Sequence, residues 1–186
     1  MVDATGEGYP LVLQSGADPT SLGGVAVCGL TTVGSVGVIA ASHLITSLNL
    51  NPMGTVIHPE FPAVALIQES VPKHPVRVYQ GEEIGVFISE IQFPQASDIQ
   101  FGNPVLEWFQ GGGFERLVII DGLVSEELGL KEEGDIWGVA SLQTGRDALD
   151  KVGIRRIQQG IVTGVSGFLL AAVSYTHLTL PTILRV

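Results

Sequence analysis

Between Pro19 and Pro59 the chain carries no Asp, Glu, Lys or Arg. So long a stretch without charge must be covered, by protein or by lipid, and this limits the fold more than any other feature. A membrane-spanning helix needs about 20 predominantly apolar residues in succession. Here Gly29, Thr31, Thr32, Gly34, Ser35 and Gly37 interrupt the run, and His43, Ser47 and Asn49 follow it. The segment therefore reads as a buried strand, a tight turn and a covered helix. The strand is Gly24 to Leu30. The helix runs from Ser35 to Leu48, with Val36, Ile39, Ala40, Leu44, Ile45 and Leu48 mostly at helical spacing. The Ser35 hydroxyl is the expected N-cap, accepting from an orphan amide of the first turn, and Asn51-Pro52 ends the unit.

Further elements follow. Met53 to His58 and Ala63 to Gln68 are apolar runs, and Val76–Tyr79 and Ile84–Ser89 form an expected hairpin around Gln80-Gly81-Glu82-Glu83. Asn103-Pro104 predicts a helix start, with proline at the first helical position, and Gly111-Gly112-Gly113 predicts its stop. Leu117–Ile120 is continuously apolar, as in a strand covered on both faces. Asp135–Ser141 is a further strand, Thr144–Val152 a short helix closed by Gly153, and Gln159–Gly164 turns into a helix over Ser166–Ala172. Strands and helices mostly alternate, so the expected architecture is α/β, with helices on both sides of a mixed sheet.

Composition narrows the function. With a net charge of −10 and only nine basic residues, the chain lacks the clustered cations that phosphate backbones and anionic membranes require. The expectation is no nucleic acid and no membrane. Cys28 is the one cysteine, which excludes an intramolecular disulfide and fits a reducing, cytoplasmic compartment. Met1 to Gly8 has acidic residues and no apolar core, unlike a signal peptide.

The turn Gly29-Leu30-Thr31-Thr32-Val33-Gly34-Ser35-Val36-Gly37 is the most informative local feature. Glycines at a strand-to-helix turn can aim backbone amides at an anion, where the helix dipole also favours it. The glycine spacing is not that of a dinucleotide fingerprint, and Gly34 is not followed by the Lys of a P-loop. The bland alternative is a tight turn with close helix–sheet packing. Candidate ligand-binding residues are Thr31, Thr32, Gly34, Ser35, Gly37 and Asp121. The last ends an apolar strand where open α/β sheets place ligand-contacting carboxylates, although a residue before Gly122 is as often an Asp bonded to its own turn.

Neither Ser35 nor Ser166 has glycine two residues away on both sides, so neither forms a nucleophile elbow, and both are expected as helix caps. His43, within an apolar helix, is expected as a hydrogen-bonded core or interface residue. His58 and His74 fit no zinc pattern, so no metal and no cofactor is expected. Glu126-Glu127 and Glu132-Glu133 read as solvated charge. Nothing forms an acid–base pair by spacing, and the expectation is a protein without catalysis.

Val173-Ser174-Tyr175-Thr176-His177-Leu178-Thr179-Leu180-Pro181-Thr182 matches, codon for codon, the translation of a transposon-type sequencing adapter. The expected organisation is one domain over residues 1–172, truncated at its C-terminus, with residues 173–186 a non-native tail. Tyr175 and His177 accordingly carry no functional weight.

The strand Val25–Leu30, the turn Thr31–Gly37, its helix, and the later Gly160-Ile161-Val162-Thr163-Gly164-Val165-Ser166-Gly167-Phe168-Leu169-Leu170 together resemble the PAC2 family, from about Leu22 to Ala172. That family includes the proteasome assembly chaperones. In the first turn Leu30-Thr31-Thr32 stands where the family often has an aromatic residue, Pro and Asp. The resemblance implies a three-layer α/β/α sandwich like that of nucleoside phosphorylases and hydrolases. It also implies a non-catalytic, homo-oligomeric protein that assists assembly of the proteasome α-ring through contact with α subunits. Some members dock a hydrophobic-Tyr-X tail, which Leu184-Arg185-Val186 does not match. The alternative from the residues is a binder of nucleoside- or phosphate-type small molecules, or a remnant enzyme of the phosphorylase-like fold.

Overall fold

A computed structural model describes residues 11–13, 24–57, 61–92, 98–122, 136–176 and 181–185. His58 and the Glu126-Glu127 and Glu132-Glu133 pairs lie outside these residues. The strands are β1 (Leu11–Leu13), β2 (Val25–Leu30), β3 (Asn51–Val56), β4 (Leu66–Gln68), β5 (Val71–Lys73), β6 (Val76–Gln80), β7 (Ile84–Ser89), β8 (Arg116–Gly122), β9 (Ile136–Ala140), β10 (Arg155–Arg156) and β11 (Pro181–Arg185). The helices are α1 (Val36–Ser47), α2 (Asp98–Gly111), α3 (Gln143–Lys151) and α4 (Gly164–Thr176), with a 3-10 turn, Val33–Ser35, leading into α1.

Nine strands form one mixed sheet in the order β1-β3-β6-β7-β2-β8-β11-β9-β10, while β4 and β5 pair separately. β7, β2, β8 and β11 run parallel, and β1, β3, β6 and β7 are antiparallel in succession. The expected hairpin is β6–β7, with Gly81 N–H donating to the Ile84 carbonyl. β11 falls in the segment read from sequence as a non-native tail, yet it lies inside the sheet, parallel to β8 and antiparallel to β9.

Period-two alternation divides the central strands between two cores, as covering both faces requires. Ala26, Cys28 and Leu30 of β2, with Leu117 and Ile119 of β8, face α2 and α4. There Phe101, Trp108, Phe109 and Phe114 make an aromatic cluster with Phe87, with rings 4.9–6.2 Å apart. Val27 of β2 and Val118 and Ile120 of β8 face α1 and pack with Ala41, Leu44 and Ile45. The register Ile120–Ile183–Gly138 carries the α1 face across β11 to Gly138, against which Leu149 of α3 lies. Helices therefore cover both faces, as the alternation of elements predicts.

Three local expectations are corrected. Ser35 does precede α1, but its backbone is left-handed (φ 53°) and its hydroxyl makes no capping bond. The 3-10 turn before it, with Gly34 at φ 68°, turns the side chain away from the first helical amides. α2 is already helical at Asp98, so Pro104 sits in its interior. Proline there removes one helical hydrogen bond, at a cost of about 3 kcal/mol. Burial of Phe101, Pro104, Val105, Trp108 and Phe109 along the same helix offsets it. His43 is exposed on α1 and shares a hydrogen bond with Ser47 Oγ at 3.3 Å, so it is not a core residue.

Arg77 of β6 is a charge brought into the interior. Its Nη2 donates to Glu90 Oε2 at 2.5 Å, its Nε to Tyr79 Oη at 3.0 Å and its Nη1 to the His74 carbonyl. Glu90→Ala strands this guanidinium and is expected to cost about 2–3 kcal/mol in urea denaturation. The double substitution Arg77→Met/Glu90→Leu is expected to cost clearly less. Gly37→Ala should cost about 1–3 kcal/mol, lowering Tm by roughly 2–12 °C, because its Cβ would lie 2.3 Å from the Ile120 carbonyl oxygen. Gly111→Ala, whose Cβ meets nothing within 4 Å, should leave the thermal midpoint within about 2 °C.

Candidate functional site

The carboxyl ends of the parallel strands β2 and β8 lie side by side. Ligand crevices of open α/β sheets form at such a place. A cavity of about 370 Å³ opens here, within the size range of small-molecule sites. Leu30, Thr31, Thr32 and Val33 form one wall, and Asp121 and Gly122 the floor. Ile91 and Gln92, after β7, and Asp98, at the start of α2, form the opposite side. Thr163 to Ser166, at the N-terminus of α4, complete it.

The first wall is held in place by backbone contacts. Thr31 Oγ1 donates to the Ser89 carbonyl at 2.8 Å, tying the turn to the end of β7. Gly122 N–H donates to Thr32 Oγ1 at 3.2 Å, tying it to β8. Val33 passes so close above Gly122 that a Cβ there would lie 1.9 Å from the Val33 carbonyl oxygen.

Asp121 is within β8, 3% exposed, and its Oδ1 has no hydrogen-bond partner among the described residues. β8 continues through Gly122, so Asp121 lies inside the strand and not at its last residue. Ser166 is the third residue of α4, 2% exposed, and its Oγ is equally without a partner among the described residues. It is not the cap expected of it, because the helix has begun at Gly164. Beneath the floor, burial and then the negative charge of Asp121 push the Cys28 thiol well above its ordinary pKa, so it remains a neutral core side chain. Burial also raises the carboxyl of Asp98.

Of the six ligand-binding candidates, Thr31, Thr32 and Asp121 come together at the cavity. Gly34, Ser35 and Gly37 are not among its lining residues. Gly37 instead packs α1 onto β2 and β8, and Gly34 supplies a left-handed turn. Sequence reasoning missed Ser166, Thr163, Asp98 and Gln92 as site residues. The glycine-rich start of α4 was visible as a second counterpart of the first turn, and pairing the two would have found Ser166. Among the described residues no cluster of His, Cys, Asp and Glu could hold a metal ion, and no helix is long and apolar enough to cross a membrane.

Comparison with known proteins places this geometry. The PAC2 family matches residues 26–182. Crystal structures of Pyrococcus furiosus PbaA, described as an archaeal homolog of proteasome-assembly chaperone, superpose with a TM-score of 0.80 at 24% identity, over 95% of this chain and 71% of that one. P. furiosus PbaB, described as an archaeal proteasome activator, gives 0.74 at 18% identity, over 96% and 80%. A Mycobacterium tuberculosis proteasome-assembly chaperone homologue gives 0.59 at 14% identity, over 86% and 73%. No curated protein matches the chain. The family model spans both glycine-rich helix starts and the strands between them, and the chain belongs to the PAC2 family.

Proposed function

We propose that this chain is a non-catalytic, cytoplasmic interaction protein that self-associates and assists assembly of the proteasome α-ring by binding α subunits. The observation that carries the reading is membership of the PAC2 family, together with structural neighbours described as proteasome-assembly chaperone homologues and a proteasome activator. On this reading the layered sheet is a variant of the nucleoside phosphorylase/hydrolase-like α/β/α sandwich, used as a scaffold. The native domain is residues 1–172, truncated at its C-terminus, and the residues from Val173 onward are adapter-derived, of which Pro181–Arg185 occupy the strand position between β8 and β9. The matching genomic reading frame tests that last point; a native frame coding for Val173–Val186 would overturn it.

One surface supports protein association. α1 is uncharged throughout and leaves Ile39 64% exposed, and Val33 before the helix and Leu48 after it are also more than half exposed. A large apolar side chain left exposed on an uncharged helix is a candidate for a contact surface. The chain should therefore co-purify with proteasome α subunits and raise the yield of assembled rings on native gels. Ile39→Glu should weaken self-association at least tenfold, the effect of losing about 1.4 kcal/mol at an interface, without lowering the Tm of the protomer. No association with α subunits and no effect on ring yield would sink the reading.

A further inference from the structure

We propose that the cavity between β2, β8 and α4 binds a small molecule that carries hydroxyl or ammonium donors and no anionic group, anchored by Asp121 and Ser166. The first support is the unmet hydrogen-bonding capacity of two buried side chains. Asp121 Oδ1 and Ser166 Oγ both belong to residues that line the cavity, both residues are at least 97% buried, and neither atom has a partner among the described residues. Leaving such groups unpaired is costly, so a site that retains them is suited to an incoming partner. A carboxylate oxygen accepts only, whereas a hydroxyl both donates and accepts. A ligand hydroxyl can donate to Asp121, or donate to or accept from Ser166; an ammonium group can donate to either.

The second support is the sign of the lining. It contains two carboxylates, Asp98 and Asp121, and no Lys, Arg or His. The start of α4, which in other settings attracts phosphate, already faces a carboxylate of the protein itself: the Cβ position of Gly164 lies 4.0 Å from Asp98 Oδ2. An added phosphate would meet two like charges and find no cation. Leu30, Val33, Ile91 and Val165 supply apolar surface for the rest of a small molecule.

The inference is independent of the chaperone reading, since it concerns binding to the isolated protein. It is tested by thermal denaturation with D-ribose, putrescine and inorganic phosphate, each titrated to 50 mM, on the order of the weak affinities expected of fragments. Ribose probes hydroxyl donors and putrescine ammonium donors. A saturable rise in midpoint of roughly 3–6 °C at about ten times Kd is expected from at least one of the two, with phosphate inert. The rise should be lost in Asp121→Asn and reduced in Ser166→Ala; if the first variant does not fold, the second carries the test. No saturable rise with ribose or putrescine, a saturable rise with phosphate, or a rise unchanged in Ser166→Ala and Asp121→Asn would overturn the proposal.

Discussion

Gly29 and Gly37 meet where α1 crosses β2, and the site depends on how close that crossing is. A Cβ on Gly29 would lie 2.3 Å from the Gly37 carbonyl oxygen, and one on Gly37 would lie 2.3 Å from the carbonyl oxygen of Ile120. Only backbone against backbone fits. This contact fixes the height of α1 above the sheet, and through the 3-10 turn it fixes Val33 directly over Gly122. Thr31 and Thr32 can then reach the ends of β7 and β8 with their hydroxyls. The cavity wall is therefore a consequence of helix–sheet packing, and the glycines most suggestive of a ligand cradle act from behind it.

Two acids, the half-buried Glu90 and the buried Asp121, show how differently a polar group can be handled in one fold. Glu90 is paired with a guanidinium that has two further acceptors around it, and the network closes on itself. Asp121, on β8 and two strands from β7 across β2, keeps an oxygen without a partner among the described residues. The first arrangement locks β6 against the end of β7. The second leaves an unpaired oxygen on a residue that lines the cavity at the strand ends, where binding sites of open sheets are found.

Much of the fold was legible because its central strands are apolar without interruption. Val25–Leu30 and Leu117–Ile120 could only be strands covered on both faces, and Gly81 between two β-rich runs announced the β6–β7 hairpin. Helix boundaries were less legible. Pro104 looked like a first-turn residue, since local propensity cannot register the aromatic cluster that holds α2 together on both sides of it. β1, β5 and β10 are two or three residues long and take their conformation from their neighbours in the sheet, which no short window of sequence records. The site was half legible. Thr31, Thr32 and Asp121 are close in space because strand order brings β2 beside β8. Ser166 joins them from α4 across a separation of more than forty residues, a relation that only the fold supplies.

The place of β11 bears on how such a sheet is made. β9, α3 and β10 all precede it in the chain, yet β9 pairs only with β10 and β11, and β8 only with β2 and β11. Without a strand in the β11 position, β8 and β9 would each present an unpaired edge. Open edges invite pairing with other chains. A protein proposed to guide the assembly of another complex thus has a sheet whose own continuity depends on one inserted strand, and any chain that pairs with β8 or β9 competes with that strand.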